Sequence, residues 1–156
     1  MKIAIAADHA GLVLKDRLKE RLMQGGHEVE DLGTNTSAPC DYPDYAAAVG
    51  REVAQGRAER GVLVCCSGMG MSIAANKIPG IRAALGVTQD GVVLARAHNN
   101  ANVITFGAKF TSEDDAAAML ETFLGTAFDG GRHEPRLAKI AALERDALSG
   151  GKRNNG

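Results

Sequence analysis

Val62-Leu63-Val64-Cys65-Cys66-Ser67-Gly68-Met69-Gly70-Met71-Ser72 decides how this chain is read. An apolar, β-branched run ends in a thiol, breaks into a glycine loop and leads to a helix expected to start at Met71. Strand, loop and helix in that order are the repeating unit of a parallel sheet. The loop also carries chemistry. A cysteine at a strand end can serve as nucleophile or base, and the positive end of a following helix favours the thiolate. Glycines permit left-handed turns in which successive backbone amides cradle an anion. The competing structural reading is that both cysteines are small core residues and the glycines only turn the chain.

Outward from this stretch the same alternation continues. Apolar runs at 2–7, 61–66, 81–87 and 102–107, with a fifth candidate at 27–32, predict five strands. Helices are expected over 11–24, 42–55, 71–77, 89–99, 112–124 and from about 132 to 148. In the first of them Leu14, Leu18 and Leu22 recur every four residues between charged faces, and Gly25-Gly26 ends it. Pro43 opens the second; Ser112 caps the fifth ahead of Glu113, Asp114 and Asp115. The pattern predicts an α/β fold: a Rossmann-like three-layer sandwich with a five-stranded parallel sheet and a C-terminal helical arm. One domain spans 1–148, and 149–156, which lack apolar residues, are expected to be a disordered tail. Ligands of such sheets gather at the carboxyl ends of strands. There the sequence places Asp8-His9, Cys65 to Gly70, and Gly107-Ala108-Lys109.

Bulk properties remove whole classes of function. The 156 residues, 45% hydrophobic and 24% charged, suit one domain with an ordinary core. A net charge of -1, 4% aromatics and no tryptophan argue against nucleic-acid partners. No apolar run approaches membrane-spanning length, and Asp8 interrupts the N-terminal run too early for a signal peptide. Three cysteines, Cys40, Cys65 and Cys66, without framework spacing fit a reducing cytoplasm. A bridge between adjacent Cys65 and Cys66 would be strained. Scattered histidines and the lack of a Cys-x-x-Cys give no metal signature, so no cofactor or metal is expected.

Three rival motifs fail at the loop. A Walker loop needs Lys after its last glycine, and Met71 follows Gly70. A dinucleotide fingerprint needs a third glycine where Ile73 stands, and it belongs after a first strand. A cysteine phosphatase needs Arg six positions after the thiol, where Met71 or Ser72 is found. Elsewhere, Asp8-His9 pairs a carboxylate with an imidazole at a strand end, suited to proton transfer or hydroxyl binding, although Asp8 also suits a helix cap. His98-Asn99-Asn100 closes a helix, where a surface charge is equally at home. Gly130-Gly131-Arg132-His133-Glu134-Pro135-Arg136 leads two glycines into paired arginines on one helical face, a pattern for phosphate rather than a plain solvated patch.

Together these segments resemble type B ribose-5-phosphate isomerase, a family shared with galactose-6-phosphate isomerase subunits. The resemblance rests on Ala7-Asp8-His9-Ala10-Gly11, Asp41-Tyr42-Pro43, Cys65 with Ser67-Gly68-Met69-Gly70, and Ser72-Ile73-Ala74-Ala75-Asn76-Lys77. It continues through Gly80-Ile81-Arg82-Ala83, His98-Asn99, Asn102-Val103 and Gly130-Gly131-Arg132-His133, in order up to about residue 145. It implies a metal-independent aldose-ketose isomerase that interconverts ribose 5-phosphate and ribulose 5-phosphate through an enediolate. By that resemblance Cys65 is the base, and amides of the Cys66-Gly70 loop, with Gly68 and Met69, hold the oxyanion. His98 opens the sugar ring with Asp8 assisting; Tyr42, Ser67 and Asn99 touch the sugar; His9, Arg132, His133 and Arg136 take the phosphate. It also implies a homodimer or homotetramer, with His98, Asn99 and the C-terminal arm serving a neighbour's site. Cys66 stands where many relatives carry a small residue, and Lys109 where Arg is frequent. Met71 replaces the Glu of the branch that lacks the thiol. Allose, galactose or tetrose phosphates are alternative substrates, and a non-catalytic nucleotide-binding module is the alternative of another class.

Overall fold

Strands that are apolar throughout must be covered on both faces. The computed structural model, which describes residues 1–150, shows that arrangement. Strands β1 (Lys2–Ala7), β2 (Glu28–Asp31), β3 (Arg60–Cys65), β4 (Ala83–Leu85) and β5 (Val103–Gly107) form one all-parallel sheet in the order β2-β1-β3-β5-β4. Side chains alternate across it. Ile3, Ile5, Val62, Val64 and Phe106 pack under α1 (Leu12–Gln24), α4 (Gln89–Ala97) and α5 (Glu113–Gly125). Ala4, Ala6, Leu63 and Cys65 pack under α2 (Tyr42–Ala54) and α3 (Met69–Ala75). The expected three layers are therefore present. A C-terminal helix, α6 (Glu134–Gly150), follows a 3-10 turn at Gly131–His133 and has no buried residue.

Boundaries differ from expectation for local reasons. Helix α3 begins at Met69 rather than Met71, because Gly68 takes the left-handed cap conformation at φ 76°. Strand β4 is shorter than its apolar run: the Arg82 amide donates to Asn102 Oδ1 (2.8 Å) instead of a strand carbonyl. The last helix starts two residues late, after Gly130 and Gly131 reverse the chain at φ 65° and 54°. It runs through Gly150, so Ser149 and Gly150, expected in the tail, are helical; 151–156 lie outside the described residues. Among the described residues no helix is long and apolar enough to cross a membrane.

One buried cation shapes the approach to the site. Lys15 is fully buried, 3.0 Å from Asp31, and its Nζ donates to the Thr34 carbonyl at 2.9 Å. Burial pulls the Asp31 carboxyl up, but hydrogen bonds from Lys19, the Gly33 amide and Lys15 outweigh it and hold the group below its usual value. This node fixes the start of the loop that leads to Cys40 and Tyr42.

Candidate active site

Register decides which strand-end residues meet. β1 and β3 are neighbours with Ala7 opposite Val64, so Asp8 leaves the sheet beside Cys65, roughly 5 Å away strand to strand. Only glycine fits at position 11, where a Cβ would lie 2.5 Å from the Val64 carbonyl oxygen. Asp8 is buried, and its Oδ1 accepts from the Ala10 and Gly11 amides at 3.0 Å each. The cap reading thus describes one carboxylate oxygen; Oδ2 has no protein partner among the described residues.

Cys65 is 4% exposed, and its Sγ accepts from the Gly68 amide at 3.1 Å. Cys66, one residue on, is exposed, as opposite-facing neighbours should be. The Ser67 hydroxyl accepts from the Met69 amide at 3.3 Å. Two amides expected to face an oxyanion, those of Gly68 and Met69, are thereby engaged. The amides of Ser67 and Gly70 donate to no protein acceptor among the described residues. Tyr42, from the start of α2, lies across Gly70: a Cβ there would sit 2.6 Å from Tyr42 Cζ. His9 is exposed, and its Nδ1 accepts from the Cys40 amide at 3.2 Å, which leaves the ring proton on Nε2.

A second group forms elsewhere. Helix α4 runs back from the carboxyl edge, so His98 and Asn99 emerge where β5 begins. The Gly61 amide donates to the Asn102 carbonyl (2.9 Å) and the Asn102 amide to that of Arg82 (3.0 Å), which ties this segment to the starts of β3 and β4. The six-residue β3 separates the two edges, roughly 16 Å at about 3.3 Å per residue. On this amino edge the rings of His98 and His133 stack at 4.1 Å and 15°. Arg132 Nε donates to His133 Nε2 (3.3 Å), and Arg136 approaches His133 Nδ1 at 3.4 Å. Burial first, then His98, Arg132 and Arg136, hold the His133 imidazole below its ordinary value. His9, expected beside the two arginines, stands on the opposite edge, as do Asp8, Tyr42 and Ser67. Lys109 is exposed at the carboxyl edge, its ammonium 5.8 Å from the Phe110 ring.

Two histidines that look scattered in sequence therefore meet. Ligand atoms of His98, Asp129 and His133 lie within 4.8 Å of one another. Stacked rings aim their lone pairs side by side, and guanidiniums flank both His133 nitrogens. Two imidazoles and two guanidiniums against one carboxylate suit an anion better than a cation.

Comparison with known proteins gives the family. The Ribose/Galactose Isomerase family matches residues 3–140. The chain belongs to that family. Ribose-5-phosphate isomerase B of Escherichia coli is 41% identical over 144 residues, covering 92% of this chain and 97% of its own length. The structure of Clostridium thermocellum ribose-5-phosphate isomerase B superposes with a TM-score of 0.93 at 40% identity, covering 94% of this chain and 99% of that one. The Mycoplasma genitalium ribose-5-phosphate isomerase B, solved with bound ribulose-5-phosphate, gives 0.89 at 39% identity, covering 93% and 97%. Other relatives carry only the coarser name of sugar phosphate isomerase. The chain is a sugar phosphate isomerase of this family.

Some residues around the site escape sequence patterning. Cys40 meets His9 across 31 positions, and Asp129 joins His98 and His133 only through the fold. Arg96 had a signal: it lies four residues after buried Val92, on the apolar face of α4, where a charge needs a reason.

Proposed function

We propose that the chain interconverts ribose 5-phosphate and ribulose 5-phosphate without a metal, with Cys65 as the base. The observation that carries this is the buried thiol at the end of β3, with an amide donor on its sulfur and Asp8 beside it. In the aldose-to-ketose direction the Cys65 thiolate takes the C2 proton, and the electron pair passes through an enediolate as the C1 carbonyl becomes an alkoxide. The thiol returns the proton to C1. The hydroxyl proton moves from O2 to O1, with Ser67 as its carrier. Unengaged amides at Ser67 and Gly70 supply the donors for the developing oxyanion. Asp8 Oδ2 and Tyr42 bind sugar hydroxyls.

Ring opening and phosphate binding need the other group: His98 to open the ring, with Asn99 on the sugar, and Arg132, His133 and Arg136 on the phosphate together with His9. Since the two groups sit on opposite edges, we propose a homodimer, or a tetramer of such dimers, in which each site joins the carboxyl edge of one copy to the amino edge of the next. The unburied α6, with Ile140, Leu143 and Leu148 exposed, and the exposed Met69, Ile73, Val87 and Phe110 supply apolar surface for that pairing. The deciding experiment is a rate panel over ribose 5-, allose 6-, galactose 6- and erythrose 4-phosphates. Fastest turnover of ribose 5-phosphate is expected. A faster hexose phosphate would move the substrate assignment, and inactivity on all four would defeat the reading.

A further inference from the structure

The segment that carries His98 and Asn99 is held in an unfavourable backbone conformation. Asn100 sits at φ 45°, the left-handed region that side chains other than glycine rarely occupy, and it is the one non-glycine residue there among the described residues. Such a conformation persists only where its surroundings impose it.

Two sets of contacts hold it: the helix-end bonds from the Asn100 amide to the Arg96 carbonyl (3.0 Å) and from the Ala101 amide to the Ala95 carbonyl (2.9 Å), and the Arg96 side chain. The side chain is 3% exposed, yet it makes no ion pair among the described residues. Its NH1 donates to Asn100 Oδ1 at 2.9 Å and to the Ala101 carbonyl at 2.6 Å; its Nε donates to the Thr126 carbonyl at 3.2 Å. Its guanidinium carbon lies 5.7 Å from the centroid of the Phe123 ring. Burial, with Arg60 and Arg82 nearby, pushes Arg96 down to about 10, which still leaves it charged at neutral pH.

These partners belong to two separate stretches. Asn100 and Ala101 follow His98 and Asn99. Thr126 precedes Asp129, Arg132 and His133, and the Asp129 amide donates to the Ala97 carbonyl at 2.9 Å. We infer that Arg96 is a positioning residue: its fork joins the two stretches, and through them fixes the His98–His133 stack on which ring opening depends. The inference rests on the proposed role of His98 for its kinetic arm only. Lysine at 96 keeps the charge but cannot hold all three acceptors in one plane.

The test uses Arg96→Lys and His98→Asn beside the wild type, with circular dichroism to show that each folds. The kinetic arm compares ribose 5-phosphate, which must be opened from a ring, with erythrose 4-phosphate, whose phosphorylated O4 prevents furanose closure. Arg96→Lys should lower kcat for the pentose about 100-fold and for the tetrose by less than about threefold, since small misplacements of a reacting group cost about that much. His98→Asn should show the same selectivity. Equal loss on both sugars in Arg96→Lys, with selective loss in His98→Asn, overturns the positioning role. The second arm is independent of activity. In NMR spectra the stacked His98 and His133 ring protons should carry mutual ring-current shifts that collapse in Arg96→Lys. If those shifts survive unchanged, the inference is wrong whatever the kinetics show. If His98→Asn is unselective, or the wild type turns over neither sugar, it is the functional reading that fails, and the NMR comparison still decides Arg96.

Discussion

The two edges of the sheet are built by different means. At the carboxyl edge, strand register and glycine contacts do the positioning: Ala7 opposite Val64 sets Asp8 beside Cys65, and Gly11, Gly68 and Gly70 let neighbouring groups approach to distances no side chain allows. At the amino edge, long cationic side chains do it. Arg96 holds a left-handed Asn100, and His98, His133, Arg132 and Arg136 crowd together without enough counter-charge. The first is rigid backbone around a reactive atom. The second is an electrostatic socket that is most comfortable with an anion in it. In the proposed reaction each edge supplies part of the chemistry.

The largest effect that would break this contrast is at the proposed base. Cys65→Ala is expected to lower kcat for ribose 5-phosphate by about 1,000-fold, the scale of a lost general base, with the circular dichroism spectrum unchanged. Cys66→Ala should stay within about threefold, because its side chain faces away from that site. Reversed results would exchange the roles of the two thiols.

Next comes the division of labour between edges. Cys65→Ala and His98→Asn are each expected to be nearly inactive alone. After subunit exchange at equal concentrations, half the dimers are mixed and one of the two sites in each is intact, so activity should return to about a quarter of wild type. No recovery after proven exchange would place both groups in one subunit's site.

A smaller effect is expected from Gly70→Ala. Its Cβ would meet Tyr42 at 2.6 Å from Cζ and 2.9 Å from the hydroxyl. Tyr42 must then swing away, so KM for the sugar phosphate should rise about tenfold with kcat little changed. An unchanged KM would remove Tyr42 from substrate binding.

The smallest effect concerns pH at the amino edge. The folded-state value of His133 lies below that of the unfolded chain, so the unfolded chain binds the proton first as pH falls. Stability should therefore decline as pH drops below about 6.5, and His133→Asn should flatten that decline. Inorganic phosphate favours the imidazolium and should reduce the decline in the wild type, as read by thermal unfolding across pH. A steeper decline in phosphate would contradict the anion socket.

The carboxyl edge was legible in sequence because its determinants are local. An apolar run, a thiol and glycines in succession carry the strand end, the turn and the proposed base in about ten residues, and alternation of elements gives the parallel sheet. Even there the cap of α3 was misplaced by two residues, since only the left-handed Gly68 shows where the helix begins. The amino edge was legible only as fragments. Arg132 and Arg136 read as a pair on one helix, but Arg132 lies in the preceding 3-10 turn, and both converge on His133 instead. The meeting of His98 with His133 joins residues 35 positions apart through the packing of α4 beside α5, and no local pattern encodes it. The resemblance to a known family supplied those residues without their geometry.

The proposed assembly of each site from two copies, with the two edges one strand length apart in each chain, has a consequence for dosage. A site assembled from two copies does not exist in an isolated chain. At concentrations well below the dissociation constant of the pair, the number of complete sites scales with the square of the chain concentration rather than linearly. A cell that halves the supply of this protein in that regime would lose three-quarters of the activity, and a dilute assay would understate the enzyme for the same reason.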